Sequence, residues 1–268
     1  MTNSPTALDD PFTGRVVVIT GAGRGIGAAT ARAFAAAGVH TVLASRDEAA
    51  LHSLRDEITD GGGSAHAVPT DVTDETAVGR LVEAAVGRFG RLDMAVNNAA
   101  AHGGRPVPLA AMSTRQFDTT ISVTLRGVFL CLRHEIAAMT AGGSIVNVAS
   151  TAADQGVAGL ADYVTAKHGV IGLTRTAALD HAADGIRINA VLPGPIHTDG
   201  LERAGAQARA GVARTLPLRR LGQPAEVAQA ILWLCSPAAD FVTGAGLPID
   251  GGRLAGTPSF AEQRTDNP

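Results

Sequence analysis

RVVVITGAGRGIG, residues 15–27, is the stretch on which the fold turns. Its first six residues form an apolar, β-branched run of the length of a buried strand. The alanine-rich segment GAATARAFAAAG that follows favours a helix. Gly21, Gly25 and Gly27 therefore fall in a strand-to-helix turn. Glycine permits the tight turn and a close approach of backbone to ligand, and the free N–H groups of the helix start, with the helix dipole, attract an anion such as a pyrophosphate. A glycine triplet alone is equally well an ordinary flexible turn; here the strand before it and the helix after it supply the context that a phosphate site needs.

The same alternation continues outward. HTVLAS (40–45), SAHAVPT (64–70), LDMAVN (92–97), SIVNVAS (144–150), RINAVL (187–192) and GLPID (246–250) read as strands. Helical segments lie between them: DEAALHSLRDEIT, about 74–89, a long helix from about 114 to 140, one around residue 163 and one after Pro224. Strands apolar on both faces, each followed by a helix, specify a parallel sheet covered on both sides. The expected fold is α/β, a Rossmann-type doubly wound parallel sheet, in one domain spanning 13–256. The polar ends, 1–12 and 257–268, are expected to be flexible.

Composition narrows the partners. A formal charge of −3 and a pI near 6.2 provide no basic excess for nucleic acid and no polybasic segment for a membrane surface. No apolar run approaches the ~18 residues needed to span a bilayer. MTNSPTALDDPF lacks the basic start and apolar core of an export signal, so a cytoplasmic location is expected. Cys131 and Cys235 are isolated thiols without metal-type spacing and read as core residues; no metal site is expected.

ADYVTAKHGV (161–170) holds the chain's only tyrosine, Tyr163, and its only lysine, Lys167. Every other one of the 22 basic residues is an arginine. A GC-rich gene accounts for the scarcity but not for the spacing, which chance alone would produce in roughly one chain of this length in two or three hundred. On a helix, residues four apart share a face and reach a common ligand. A phenol, with its ordinary pKa of about 10, needs a neighbouring positive charge to serve as a proton donor and acceptor near neutrality, and a compact ammonium supplies one.

These features together resemble the classical short-chain dehydrogenase/reductase family. The resemblance rests on Thr20-Gly21-x-x-x-Gly25-x-Gly27, Asp71 after the third strand, Asn97-Asn98-Ala99, Ser150, Tyr163-x-x-x-Lys167 and Pro193-Gly194-x-Ile196-x-Thr198, and it covers about residues 14–252. It implies hydride transfer between a nicotinamide cofactor and a ketone or secondary alcohol. Tyr163 would be the acid/base, Ser150 would polarise the carbonyl oxygen, and Lys167 would tune the tyrosine and hold the nicotinamide ribose. Cofactor contacts are implied for Gly21, Arg24, Gly25, Ile26, Gly27, Ser45, Arg46, Asp71, Val72, Asn98, Ala99, Tyr163, Lys167, Pro193, Gly194, Ile196 and Thr198. Family members commonly form tetramers, so a homo-oligomer is expected. A cofactor-binding protein without turnover, and an epimerase or dehydratase on the same scaffold, are the alternatives.

Two departures from the family stand out. Thr124 replaces the asparagine that usually anchors a water in the proton relay, and Ala100 replaces the glycine of the commoner NNAG. At the end of the second strand, Ser45-Arg46 stands where an NAD-preferring member carries an aspartate. A guanidinium grips a 2′-phosphate in a fork, and Arg24 adds a second cation, so NADP(H) is favoured. NAD(H) is the alternative if Asp47 is the ribose ligand. Asp71 is read either as an adenine neighbour or as a helix cap. Segments 101–108, 151–159 and 195–216 are expected to line the substrate, with His102, Gln155 and His197 as candidate contacts. A cationic cluster of Arg203, Arg209 and Arg214 would form only if their helix turned inward; a mostly apolar small-molecule carbonyl or alcohol is the default substrate.

Overall fold

The computed structural model describes residues 11–101, 106–140, 142–198, 202 and 205–256. Seven parallel strands form one sheet in the order β3-β2-β1-β4-β5-β6-β7. They are β1 (Val16–Thr20), β2 (His40–Ser45), β3 (Ser64–Pro69), β4 (Met94–Asn97), β5 (Gly143–Val148), β6 (Ile186–Pro193) and β7 (Gly246–Ile249). The apolar run of β1 is buried on both sides, as a central parallel strand requires. Val16 and Val18 point into one core; Val17 and Ile19 point into the other. Pro248, which lacks an N–H, sits in β7 at the sheet edge, where the missing donor costs least.

Helices α1 (Gly25–Ala36) and α2 (Glu48–Asp60) cover one face, together with a C-terminal helix, Pro224–Cys235, which is α8 in chain order. Phe34, Leu51 and Ile231 are fully buried there. The other face is covered by α3 (Glu75–Phe89), α5 (Gly127–Ala138) and α6 (Ala161–His181), through residues such as Leu81, Leu132 and Val170. The chain runs outward from β1 to β3 and then crosses back to β4, so the strand order reverses between β1 and β4. In such a sheet the crevice at that reversal, beyond the carboxyl ends of the strands, takes the ligand.

Three features differ from the sequence-based expectation. The long helix expected over 114–140 is α4 (Thr114–Ile121), a π-helical turn at Ser122–Arg126 and then α5. Gly127 permits this path, since a Cβ there would stand 2.8 Å from Val72 Cγ2. The helix that carries Arg209 and Arg214 is α7 (Ala206–Arg214), which lies outside the strand–helix alternation and buries none of its residues. Phe12, placed by the sequence in a flexible tail, packs edge-on against Phe34 with ring centroids 6.1 Å apart. Residues 1–10 and 257–268, the rest of the two expected tails, lie outside the described residues.

A buried polar network ties the central strands to the helices beside them. Asn97 and Asn147 are register partners on β4 and β5. The Asn97 side-chain N–H group donates to Glu135 Oε2 at 2.9 Å and to Asn147 Oδ1 at 3.1 Å, and Asn147 donates to Thr174 Oγ1 at 2.9 Å. Glu135 Oε1 and Asn97 Oδ1 are buried acceptors without a donor among the described residues. Burial pushes the Glu135 carboxyl up to about 7, against the lowering effect of the Asn97 bond. Near neutrality a large share of Glu135 is thus the neutral acid, whose O–H gives this network an additional donor.

Candidate active site

The turn between β1 and α1 is shaped by Gly21 (φ 66°) and Gly25 (φ 55°), both in the left-handed region that favours glycine. A Cβ on Gly27 would stand 2.3 Å from the Gly21 carbonyl oxygen, so this glycine lets α1 pack against its own turn and does not line the cleft. Arg24 precedes α1 with no side-chain cap bond, and no acid occupies the first turn. The N–H groups at the helix start are thus left for an external anion. Asn98 braces the turn: its side-chain amide donates to the Thr20 and Gly21 carbonyls at 3.1 and 3.0 Å. Thr20 Oγ1 in return accepts from the backbone N–H groups of Asn98 and Ala99, each at 3.1 Å.

A cavity of about 720 Å³ opens from this turn across the strand ends. Gly21, Arg24, Gly25, Ile26, Ser45, Arg46, Asp71, Val72, Asn98 and Ala99 line one end of it. Ser150, Tyr163, Lys167, Pro193, Gly194, Ile196 and Thr198 line the other. Thr198 closes back over the turn, its Cγ2 lying 3.5 Å from where a Cβ on Gly25 would be. Gly23, Thr70, Ala100, Val123 and Val148 also line the cavity and were not foreseen. Gly23 was legible as a fourth glycine of the turn, whereas Val123 reaches the cavity only through the path of the π-helical turn.

At the carboxyl end of β2, the Ser45 hydroxyl accepts from the Asp47 N–H at 3.1 Å, and the Asp47 carboxylate accepts from the Ala50 N–H at 3.0 Å as the cap of α2. Asp71 does not cap α3; Asp74 does. Asp71 Oδ1 instead accepts from the Thr73 N–H at 2.9 Å and the Thr73 hydroxyl at 2.8 Å. Burial pushes the Asp71 carboxyl up, but these two bonds and the nearby Arg46 charge outweigh it and leave it below its ordinary value.

At the other end of the cavity, Lys167 Nζ donates to the Val148 carbonyl at 2.6 Å and lies 5.6 Å from the centroid of the Tyr163 ring. Burial pulls the Lys167 ammonium down to about 7. The Tyr163 phenol is pushed above its ordinary value by burial, opposed by its hydrogen bond with the Ser150 side chain. The lowering of Tyr163 expected from the sequence is thus outweighed, within the chain alone, by the removal of both groups from water. Ser150 also caps a short 3-10 turn, accepting from the Ala152 N–H at 3.1 Å, which fixes its hydroxyl beside the tyrosine.

Thr124 is fully buried, and its hydroxyl is taken up by the backbone of one residue of the neighbouring loop. It accepts from the Ala101 N–H at 3.0 Å and donates to the Ala101 carbonyl at 3.3 Å. The side chain therefore clamps the NNAA loop rather than presenting a free hydroxyl to a relay water. Of the expected substrate contacts, Gln155 has a buried Nε2 with no partner among the described residues. His197 bonds to Glu202, which also pairs with Arg209 at 3.0 Å. The cationic cluster considered for Arg203, Arg209 and Arg214 thus has its Arg209 member neutralised. His102 and Arg203 lie outside the described residues. Among the described residues no group of three or more His, Cys, Asp or Glu could hold a metal ion, and no helix is long and apolar enough to cross a membrane.

A cleft lined by a glycine-shaped anion site and by a Ser-Tyr-Lys cluster is the arrangement of a nicotinamide-dependent oxidoreductase. The family model described as enoyl-(acyl carrier protein) reductase matches residues 21–253. The chain is 44% identical over 247 residues to the A-factor type gamma-butyrolactone 1′-reductase of Streptomyces virginiae, covering 90% of this chain and 96% of that one. It is 43% identical over 250 residues to the cis-4-hydroxycyclohexanecarboxylate dehydrogenase of Sinomonas cyclohexanicum, covering 92% and 100% respectively. The crystal structure of levodione reductase superposes with a TM-score of 0.87 at 35% identity, covering 91% of this chain and 99% of that one. The chain belongs to the short-chain dehydrogenase/reductase family. It is an enzyme that uses a nicotinamide cofactor.

Proposed function

We propose that the protein interconverts a neutral cyclic ketone and its secondary alcohol with NADP(H), using Ser150, Tyr163 and Lys167. The observation that carries this reading is the contact among the three groups: Ser150 bonded to Tyr163, and Lys167 held over the same ring by the Val148 carbonyl. When bound, the nicotinamide supplies or takes up the hydride. In the reducing direction a C–H bond forms at the carbonyl carbon, and the oxygen takes the phenolic proton of Tyr163. The Ser150 hydroxyl donates to that oxygen as negative charge develops on it. Lys167, protonated, stabilises the phenolate left behind. Oxidation runs the same path in reverse.

The ring substrate is suggested by the Sinomonas relative, whose name places the hydroxyl on a cyclohexane. The segments expected to line the substrate suit such a body. Val107 N–H donates to the Gly159 carbonyl at 3.0 Å, and this bond joins the apolar segments Pro106–Pro108 and Val157–Leu160. Arg209 and His197 are both paired with Glu202, which reduces the positive charge that side can offer a carboxylated substrate.

The cofactor preference rests on Arg24 and Arg46 lining the cavity; Asp47 lines it too, with one carboxylate oxygen engaged as the cap of α2. Arg46→Ala is expected to raise the KM for NADPH by about tenfold or more while leaving that for NADH nearly unchanged. Steady-state kinetics with both cofactors checks this; an equal rise for both would reverse the preference. We also read the half-exposed Phe129 on α5 and the exposed Leu179 on α6 as faces covered in a homotetramer. Light scattering at micromolar concentration should give a multiple of the 27.1 kDa chain mass, and a monomer would contradict it.

A further inference from the structure

Asp162, the residue before Tyr163, is a carboxylate removed from water with no basic side chain paired to it among the described residues. Such a group is costly unless hydrogen bonds replace its hydration. Three donors meet it. The Tyr163 N–H donates to Oδ1 at 2.8 Å, the Thr120 hydroxyl to Oδ2 at 2.8 Å, and the Gln116 side-chain amide reaches Oδ2 at 3.5 Å. Helix α6 begins at Ala161 behind Leu160, which has no capping side chain, so Asp162 does the work of a cap from inside the first turn. Thr120 is itself fully buried near the end of α4, immediately before the π-helical turn.

We propose that Asp162 is a positioning residue that locks the first turn of α6, and with it Tyr163, to α4. The inference rests on the acid/base role proposed for Tyr163. The carboxylate binds the backbone of the reactive residue with one oxygen and the neighbouring helix with the other. Tyr163 is thereby fixed at its main chain while Ser150 and Lys167 fix its surroundings. A proton donor displaced by about 1 Å loses on the order of 100-fold in rate, whereas cofactor affinity, set largely at the glycine turn on the other side of the sheet reversal, does not depend on this lock.

The test compares three variants by kcat, by NADPH binding measured from fluorescence titration, and by the temperature of unfolding. Asp162→Ala removes every acceptor and should lower kcat by about tenfold or more with NADPH affinity unchanged. Asp162→Asn keeps the acceptor for the Tyr163 N–H and can donate its amide to Thr120, so kcat should stay within about threefold of native. Thr120→Val cuts only the tie to α4 and should fall between them, and it keeps the proposal testable if the alanine variant does not fold. Native kcat in folded Asp162→Ala, or in Thr120→Val, overturns the proposal. A fall in Asp162→Asn as deep as in Asp162→Ala overturns it too, because charge rather than geometry would then be at work. If Tyr163→Phe is itself active, the reading beneath the proposal has failed; if Tyr163→Phe is inactive while Asp162→Ala is fully active, only the positioning role has.

Discussion

Tyr163→Phe is expected to lower turnover by about 100-fold to 10,000-fold while the cofactor still binds. The half-buried ring lies beside the Lys167 ammonium and loses only its oxygen, so the packing and the glycine turn are untouched. What disappears is the proton that the substrate oxygen must receive and the acceptor bonded to Ser150. Turnover by single-turnover kinetics, beside NADPH affinity by titration, separates the two effects. Activity above a few per cent of native would remove Tyr163 from the acid/base role and leave Ser150 or a solvent molecule as the donor.

The second large effect is on stability. In the unfolded chain the Glu135 carboxyl ionises near its ordinary 4.5, whereas in the folded protein it holds its proton up to about 7. Between those values the folded state binds the extra proton, so stability falls as pH rises from 4.5 to 7 and levels off above. The gap corresponds to roughly 3 kcal/mol lost across that window. Glu135→Gln is neutral at every pH and supplies an amide donor where the acid supplies its O–H. It should remove this component of the pH slope and leave the variant the more stable protein above pH 7. Denaturant midpoints of native and variant from pH 4.5 to 8.5 check it; parallel curves would show that Glu135 is ionised in the folded state. Lys167 acts in the opposite sense, since its folded value of about 7 lies below its ordinary 10.5. Its contribution rises with pH across that upper range, so the comparison is best drawn from the difference between the two proteins.

The sheet and the glycine turn were legible because their signals are local. A β-branched run such as Val16–Thr20 has to be a buried strand, and Gly21 and Gly25 occupy conformations that other residues adopt only with strain. The Tyr163–Lys167 pair was legible from its rarity and its helical spacing. Other features depend on contacts distant in sequence. Nothing near Thr124 says that its hydroxyl will be spent on Ala101, 23 residues away, or that a π-helical turn will interrupt the helix there. Glu135 reads as one more charge on an amphipathic helix until its burial against Asn97 is known. Asp162 reads as a favourable acid in a first helical turn, which it is, but its tie to Thr120 belongs to the tertiary structure alone. Asp71 shows the same limit: a cap and a cleft residue look alike in sequence, and only the position of Asp74 decides between them.

The most direct test of the whole account follows the absorbance of the reduced nicotinamide while the purified protein is offered NADP⁺ or NAD⁺ with a panel of neutral cyclic secondary alcohols, and NADPH or NADH with the matching ketones. The account predicts that reduced cofactor appears or disappears mole for mole with ring ketone, faster with the 2′-phosphorylated form than without it, and that Tyr163→Phe abolishes the signal. Conversion of a ring substrate with no net change in the reduced nicotinamide, or cofactor binding with no conversion across the panel, would contradict it.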